Sequence, residues 1–202
     1  MNDTGVVPRE SFPDTHHDVY TKTVFGFWIY LLTDFMMFGS FFAAYAVLRT
    51  STFGGPSGHL LFNLPFTLLQ TLLLLTSSLT SGLAGAYAHR KNRSMTLLFF
   101  VLTLLLGIAF MGMEGVELNK MISAGNTWRQ SAFLSMFFTL IGTHQLHVFF
   151  AIVWTIALLV PVWREGLQPE SLRRLTCLRM FWQFINIIWV FIFAIVYVMG
   201  GD

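Results

Sequence analysis

Asp34, Glu114, Glu117, His144 and His147 each set a titratable side chain inside a long apolar run. Glu114 and Glu117 are three apart, so on a helix they share one face. Two carboxylates that close resist ionising together, which makes a proton-accepting pair chemically possible. The alternative is a hydrogen-bonded anchor between helices. His144 and His147, within Gly142-Thr-His-Gln-Leu-His-Val148, have the same spacing. Paired imidazoles invite a metal or haem reading. Yet His16, His17, His59 and His89 all fall in the tail or the turns, so a haem between two helices has no second histidine. Zinc needs further ligands, which only Asp34 or the glutamate pair could supply. Hydrogen bonds across helices, one of them to a glutamate of the third run, are the competing reading. Asp34 lies about ten residues into the first run, where a charged group at mid-helix costs roughly 2.5–3.5 kcal/mol on insertion scales. It therefore faces a helix interface or water, not lipid. Gln183 and Asn186 share a face at the start of the last run and read as amide contacts between helices.

The elements that hold these residues are five apolar runs, near Phe25–Leu48, Pro65–Ala88, Met95–Leu118, Ala132–Val162 and Leu178–Gly200. About 20 apolar residues cross a bilayer as a helix, and lipid tolerates backbone only in helices or closed barrels. The runs lack period-2 alternation, so they read as helices. The chain is 55% apolar and 11% charged, against about 25% charged in soluble domains. The fold class is an all-α, polytopic membrane protein of five spans. Residues 1–24 read as a polar tail without an apolar signal core, and 25–202 as the membrane domain. No folded extramembrane part is left to bind nucleic acid. Cys177 is the only cysteine, which excludes an internal disulfide and a thiolate cluster. No phosphate-binding glycine loop, serine nucleophile motif or zincin signature occurs.

The basic residues are unevenly split. Nine of twelve Lys and Arg fall on the side of the N-terminus: Arg9, Lys22, Arg90, Lys91, Arg93, Arg164, Arg173, Arg174 and Arg179. Arg49, Lys120 and Arg129 fall on the other. With short loops the positive-inside rule puts the N-terminus in the cytoplasm and the C-terminus outside. The turn His89-Arg-Lys-Asn-Arg93 is a compact basic cluster. It is a topology determinant or, through Arg90, Lys91 and Arg93, a site for an anionic lipid headgroup. Ser78, Gly82 and Ala86, with Ser81 and Gly85 beside them, form a small-residue ridge on the second span that lets another helix approach. Gly39 and Ala43 repeat that pattern on the first. No span carries a central proline, which argues against the broken helices of many transporters.

Gly142-Thr-His-Gln-Leu-His-Val148 and Trp182-Gln-Phe-Ile-Asn-Ile-Ile-Trp189 resemble motifs of subunit III of the haem–copper oxidases, as does the Glu117 motif in the third span. Lys22-Thr-Val-Phe-Gly-Phe-Trp-Ile-Tyr30, Gly54-Gly-Pro-Ser-Gly58 and Val196-Tyr-Val-Met-Gly200 are similar to the bo-type ubiquinol oxidase branch. The resemblance covers roughly residues 22–200. It implies a subunit without a redox centre of its own, packed beside the catalytic subunit I that carries haem and copper, with subunits II and IV as further partners. It also implies phospholipid held in a cleft between spans 1–2 and spans 3–5, and a bacterial inner-membrane location. By resemblance Glu117 matches the family's buried glutamate, and His144 and His147 its histidines. Gln183 and Asn186 stand where the family usually has His and Asp. Neither amide titrates, so the resemblance implies hydrogen bonding there and not proton relay. Gln145 replaces a small residue between the histidines. The rival reading from the residues alone is a small proton-coupled transporter or channel, with the five titratable groups lining its path.

Overall fold

The computed structural model describes residues 15–52 and 63–200. Five helices account for nearly all of them: α1 (Thr15–Leu48), α2 (Leu64–His89), α3 (Arg93–Ser123), α4 (Ala132–Glu165) and α5 (Pro169–Ile192), the last continued by a π-helical segment, Phe193–Val198. All five are long and apolar enough to cross a membrane, and no strand occurs among the described residues.

Local chemistry sets the boundaries. Asn63, Asn92 and Ser131 each accept a hydrogen bond from a backbone N–H three residues on, capping α2, α3 and α4. Pro65 and Pro169 occupy the first turns of α2 and α5, where a missing N–H costs nothing. Gly166 ends α4 with φ +85°, a conformation that glycine adopts freely. Between α2 and α3 the chain reverses over Arg90–Asn92, with Lys91 at φ 57°. Asn92 N–H donates to the Tyr87 carbonyl at 3.1 Å, so the basic turn is also a tight helical hairpin.

Two boundaries differ from the sequence reading. α1 starts at Thr15, so residues 15–24 are helix and not tail. The segment after Pro13 contains no helix breaker before Gly26, and the helix runs back through it. α5 starts at Pro169, nine residues before the expected Leu178. Its first turns are rich in charge, yet Leu172, Leu175 and Leu178 recur every three residues. They pack against Ala84, Ala88, Phe100, Leu158 and Val162 in a second core near the N-terminal face. The Gly54–Gly58 motif, His59 and residues 1–14 lie outside the described residues.

The division of spans 1–2 from spans 3–5 does not hold. α1 packs against α4 and α5, α2 pairs most closely with α3 and also lies along α5, and α1 with α2 make at most marginal contact. The reason is visible in α1. Leu31, Phe38 and Tyr45, seven residues apart, are its only buried positions among the described side chains and form a single seam. Phe38 meets His147 of α4 and Phe184 of α5 at ring distances of 5.2 and 6.5 Å. Tyr45 meets Phe133 of α4 at 6.0 Å. α5 is the most buried span and α1 the least. The packed ridge of α2 is displaced by one position from the expected line: Ser77, Ser81, Ala84, Gly85 and Ala88 are buried, while Ala86 is exposed. Gly39 and Ala43 of α1 are exposed as well.

Candidate functional site

The titratable residues collect in two separate places. At about 1.5 Å per residue, Asp34 lies roughly 21 Å from the far end of α1. His147 lies at nearly the same depth, roughly 22 Å from the far end of α4. Glu114 and Glu117 lie only about 13 and 9 Å from the far end of α3, and Gln70 about 9 Å from that of α2. His144, roughly 18 Å from the far end of α4, bonds to a carbonyl of α5, and His147 faces Asp34 of α1, so the expected bond from a histidine to a glutamate of the third span is not formed.

The shallower cluster joins Glu114, Glu117, Gln70 and Tyr197. Glu114 is fully buried and faces Gln70 and Tyr197, while Glu117, 8% exposed, faces Gln70 and Lys120. No hydrogen bond within strict geometry reaches the carboxyl oxygens of either glutamate or the amide of Gln70. The π-helical turn matters here. Its wider winding turns Val196 and Tyr197 inward, both fully buried, and the Tyr45 hydroxyl of α1 donates to the Val196 carbonyl at 3.4 Å. Four elements thus meet around one carboxyl pair. Sequence reasoning missed Gln70, Tyr45 and Tyr197. An amide within Leu68-Leu69-Gln70-Thr71 is the one signal that could have flagged the site.

The deeper pair splits across its helix. Residues three apart on a helix are offset by about 60°, and at a junction of several helices that is enough to give two environments. His144 is fully buried; its Nε2 donates to the Ile185 carbonyl of α5 at 3.2 Å. Its ring lies 5.1 Å from Trp189 and 6.0 Å from Phe110. That is a packed aromatic setting with no space for a macrocycle. His147 turns toward α1. Its Nδ1 donates to the Thr143 carbonyl at 2.8 Å, and its Nε2 lies 3.6 Å from Oδ2 of Asp34. The hydroxyl of Tyr30 lies beside the same carboxylate. Asp34 thus faces a helix interface. Among the described residues no three His, Cys, Asp or Glu converge as a metal-binding group.

The amides of α5 serve the α2–α5 interface. Ser78 Oγ donates to Gln183 Oε1 at 2.8 Å, and Gln183 Nε2 donates to the Ser78 carbonyl at 3.3 Å. Trp182 Nε1 donates to Ser77 Oγ and Trp189 Nε1 to Thr71 Oγ1, both at 3.0 Å. Asn186 instead bonds within its own helix, Nδ2 to the Trp182 carbonyl at 2.8 Å. Thr80 and Thr103 hydroxyls, 2.8 Å apart, tie α2 to α3. The side-chain ends of Gln145 are buried without a hydrogen-bond partner. Arg90, Lys91 and Arg93 are all exposed; Arg93 also donates to the Trp163 carbonyl at the end of α4.

Two cavities open between the helices. One, of about 360 Å³, lies between α1, α2 and α5 and includes Arg179 and Gln183 in an otherwise mainly apolar wall. The other, of about 450 Å³, lies between α1, α4 and α5 and is lined by aromatic residues with His147.

The cytochrome c oxidase subunit III family model matches residues 5–201. A Pseudomonas aeruginosa protein named cytochrome bo(3) ubiquinol oxidase subunit 3 is 46% identical, over 93% of this chain and 90% of its own length. A Pseudomonas putida protein of the same name is 41% identical over 91% and 89%. A Bacillus protein named cytochrome c oxidase subunit 3 is 40% identical over 87% and 84%.

Proposed function

The chain belongs to the cytochrome c oxidase subunit III family, and from that premise we propose that it serves as the third subunit of a bo-type ubiquinol oxidase. The observation that carries the quinol reading is the 46% identity, across nearly the whole length of both chains, to a relative named for ubiquinol. The complex would oxidise quinol, reduce oxygen to water and translocate protons across the bacterial inner membrane. Haem and copper belong in the catalytic subunit I, and subunits II and IV complete the assembly. The relatives give no support to a transporter or channel.

This chain's own part is structural. Hydrogen bonds from Gln183, Trp182 and Trp189 to α2 fix α5, and with it the face offered to the neighbouring subunit. Asp34, Glu114, Glu117, His144, His147 and Asn186 act as buried polar contacts, with no bond chemistry of their own. Phospholipid occupies the groove between α1, α2 and α5 that includes Arg179, and Arg90, Lys91 and Arg93 favour an anionic headgroup. The nine-to-three excess of basic residues supports a cytoplasmic N-terminus and a periplasmic C-terminus.

The direct test is a gentle detergent pull-down of the tagged chain from its native membrane, read by mass spectrometry and a reduced-minus-oxidised spectrum. A many-span partner carrying haem and copper is the expected result. A chain that comes down alone and colourless would end the subunit reading.

A further inference from the structure

The larger cavity is lined by Phe27, Tyr30, His147, Phe150, Trp154 and Phe181. Its rings follow one another around the wall. Phe27 lies 5.6 Å from Tyr30 and 5.8 Å from Trp154, and Phe181 lies 5.9 Å from Trp154 and 6.5 Å from Tyr30. Tyr30 and Phe150 are about half exposed at the rim, so the cavity opens sideways from the membrane domain and takes a ligand that partitions into lipid.

The polar edge is specific. His147 Nδ1 donates to a backbone carbonyl, which leaves Nε2 of the neutral ring as an acceptor. Nε2 and Asp34 Oδ2 stand 3.6 Å apart, too far for a direct hydrogen bond, and Oδ2 has no other hydrogen-bond partner. The Tyr30 hydroxyl adjoins this edge. An imidazole nitrogen and a phenol at one side of an aromatic slot suit a flat ring with oxygen substituents. An acyl chain uses none of those polar groups. A phosphate headgroup meets no Lys or Arg in the lining, in contrast to the cavity that holds Arg179.

We infer that the pocket between α1, α4 and α5 binds the headgroup of a membrane quinol, with a ring hydroxyl donating to His147 Nε2 and the ring lying among Phe27, Trp154 and Phe181. Pockets of this size and lining bind small planar ligands. The site is a place of binding only; no electron transfer is assigned to it. It rests on the quinol-oxidase reading for the supply of quinol in the surrounding membrane, not for its geometry.

The full chain in phosphatidylcholine nanodiscs is labelled with a photoreactive azido-ubiquinone, with decylubiquinone as competitor and peptide mapping as the readout. Labelling is expected to saturate, to be displaced by decylubiquinone and to map to residues 27–34 or 147–154. His147→Leu should reduce it at least tenfold and Tyr30→Phe severalfold, while Ile187→Ala in the other cavity leaves it unchanged. Elution profile and far-UV circular dichroism verify folding. If His147→Leu does not fold, the Tyr30→Phe comparison decides. Labelling that rises linearly with concentration, or is indifferent to the His147 or Tyr30 change, overturns the inference. So does retained phospholipid at the pocket that decylubiquinone does not displace. Any of these leaves the co-purification of a haem-bearing partner untouched, so the two readings fail separately.

Discussion

Gly107 is the point where α3 passes closest to the indole of Trp182 on α5. A Cβ there would stand 2.7 Å from Cη2 and 2.9 Å from Cζ2 of that ring. Ordinary contact begins near 3.4 Å, so Gly107→Ala obliges the ring to retreat by roughly 0.7 Å in a packed interior. The ring is 3% exposed, and its Nε1 is held by Ser77 Oγ at 3.0 Å. Overpacking of this kind costs about 1–3 kcal/mol, and an interhelical hydrogen bond in a membrane adds around 0.6 kcal/mol. A loss of about 2 kcal/mol follows, or about 30-fold in the unfolding equilibrium at 1.4 kcal/mol per decade. The assay is SDS-driven unfolding of the purified chain in mixed micelles, followed by far-UV circular dichroism. Trp182→Phe removes the atoms that clash, so Gly107→Ala on that background should cost less than it does alone by at least ~1 kcal/mol. An unchanged midpoint in Gly107→Ala, or strict additivity in the double variant, would refute the α3–α5 contact as described.

Three further outcomes follow from the same geometry. Glu117→Gln should leave the haem spectra of the assembled complex intact while lowering its yield and its stability during turnover; a haem signal lost from a fully assembled complex would contradict the structural role. Trp189→Phe and Thr71→Val each break one bond between α5 and α2. Each should cost roughly 0.6–2 kcal/mol in the same unfolding assay, and the double variant no more than the larger of the two, whereas full additivity would show that the bond does not exist. Changing Arg90, Lys91 and Arg93 together to Ala should reduce the anionic phospholipid that co-purifies. A reversed pattern of cysteine accessibility in the loops, with lipid content unchanged, would assign the cluster to topology alone.

What the sequence determined by itself is the set of properties that lipid imposes locally. Five helices were legible because each run must satisfy its own backbone hydrogen bonds in hydrocarbon. The turn around Lys91 and the small-residue face of α2 were legible because capping, hydrophobicity and side-chain size act within a few residues. Family membership was legible because Gly142–Val148 and Trp182–Trp189 are contiguous. The helical stretch Thr15–Val24 and the charged start of α5 were hidden by composition: a helix can continue past the apolar run that reveals it.

Which helix meets which was not legible, and only the tertiary structure decided it. α1 lies on α4 and α5 because its seam of Leu31, Phe38 and Tyr45 fits their rings. The glutamates and histidines, all candidates for one site when read along the chain, separate because His144 bonds to a carbonyl of α5 and His147 faces Asp34 of α1, while the glutamates face Gln70 of α2. His144 and His147 separate again because three residues along a helix leave a rotation of about 60°, so that one ring faces Trp189 and the other faces Asp34. Spacing fixes the relative position of side chains on one helix. It carries no information on the rotation and height of the helix packed against them, and a membrane site is built from both.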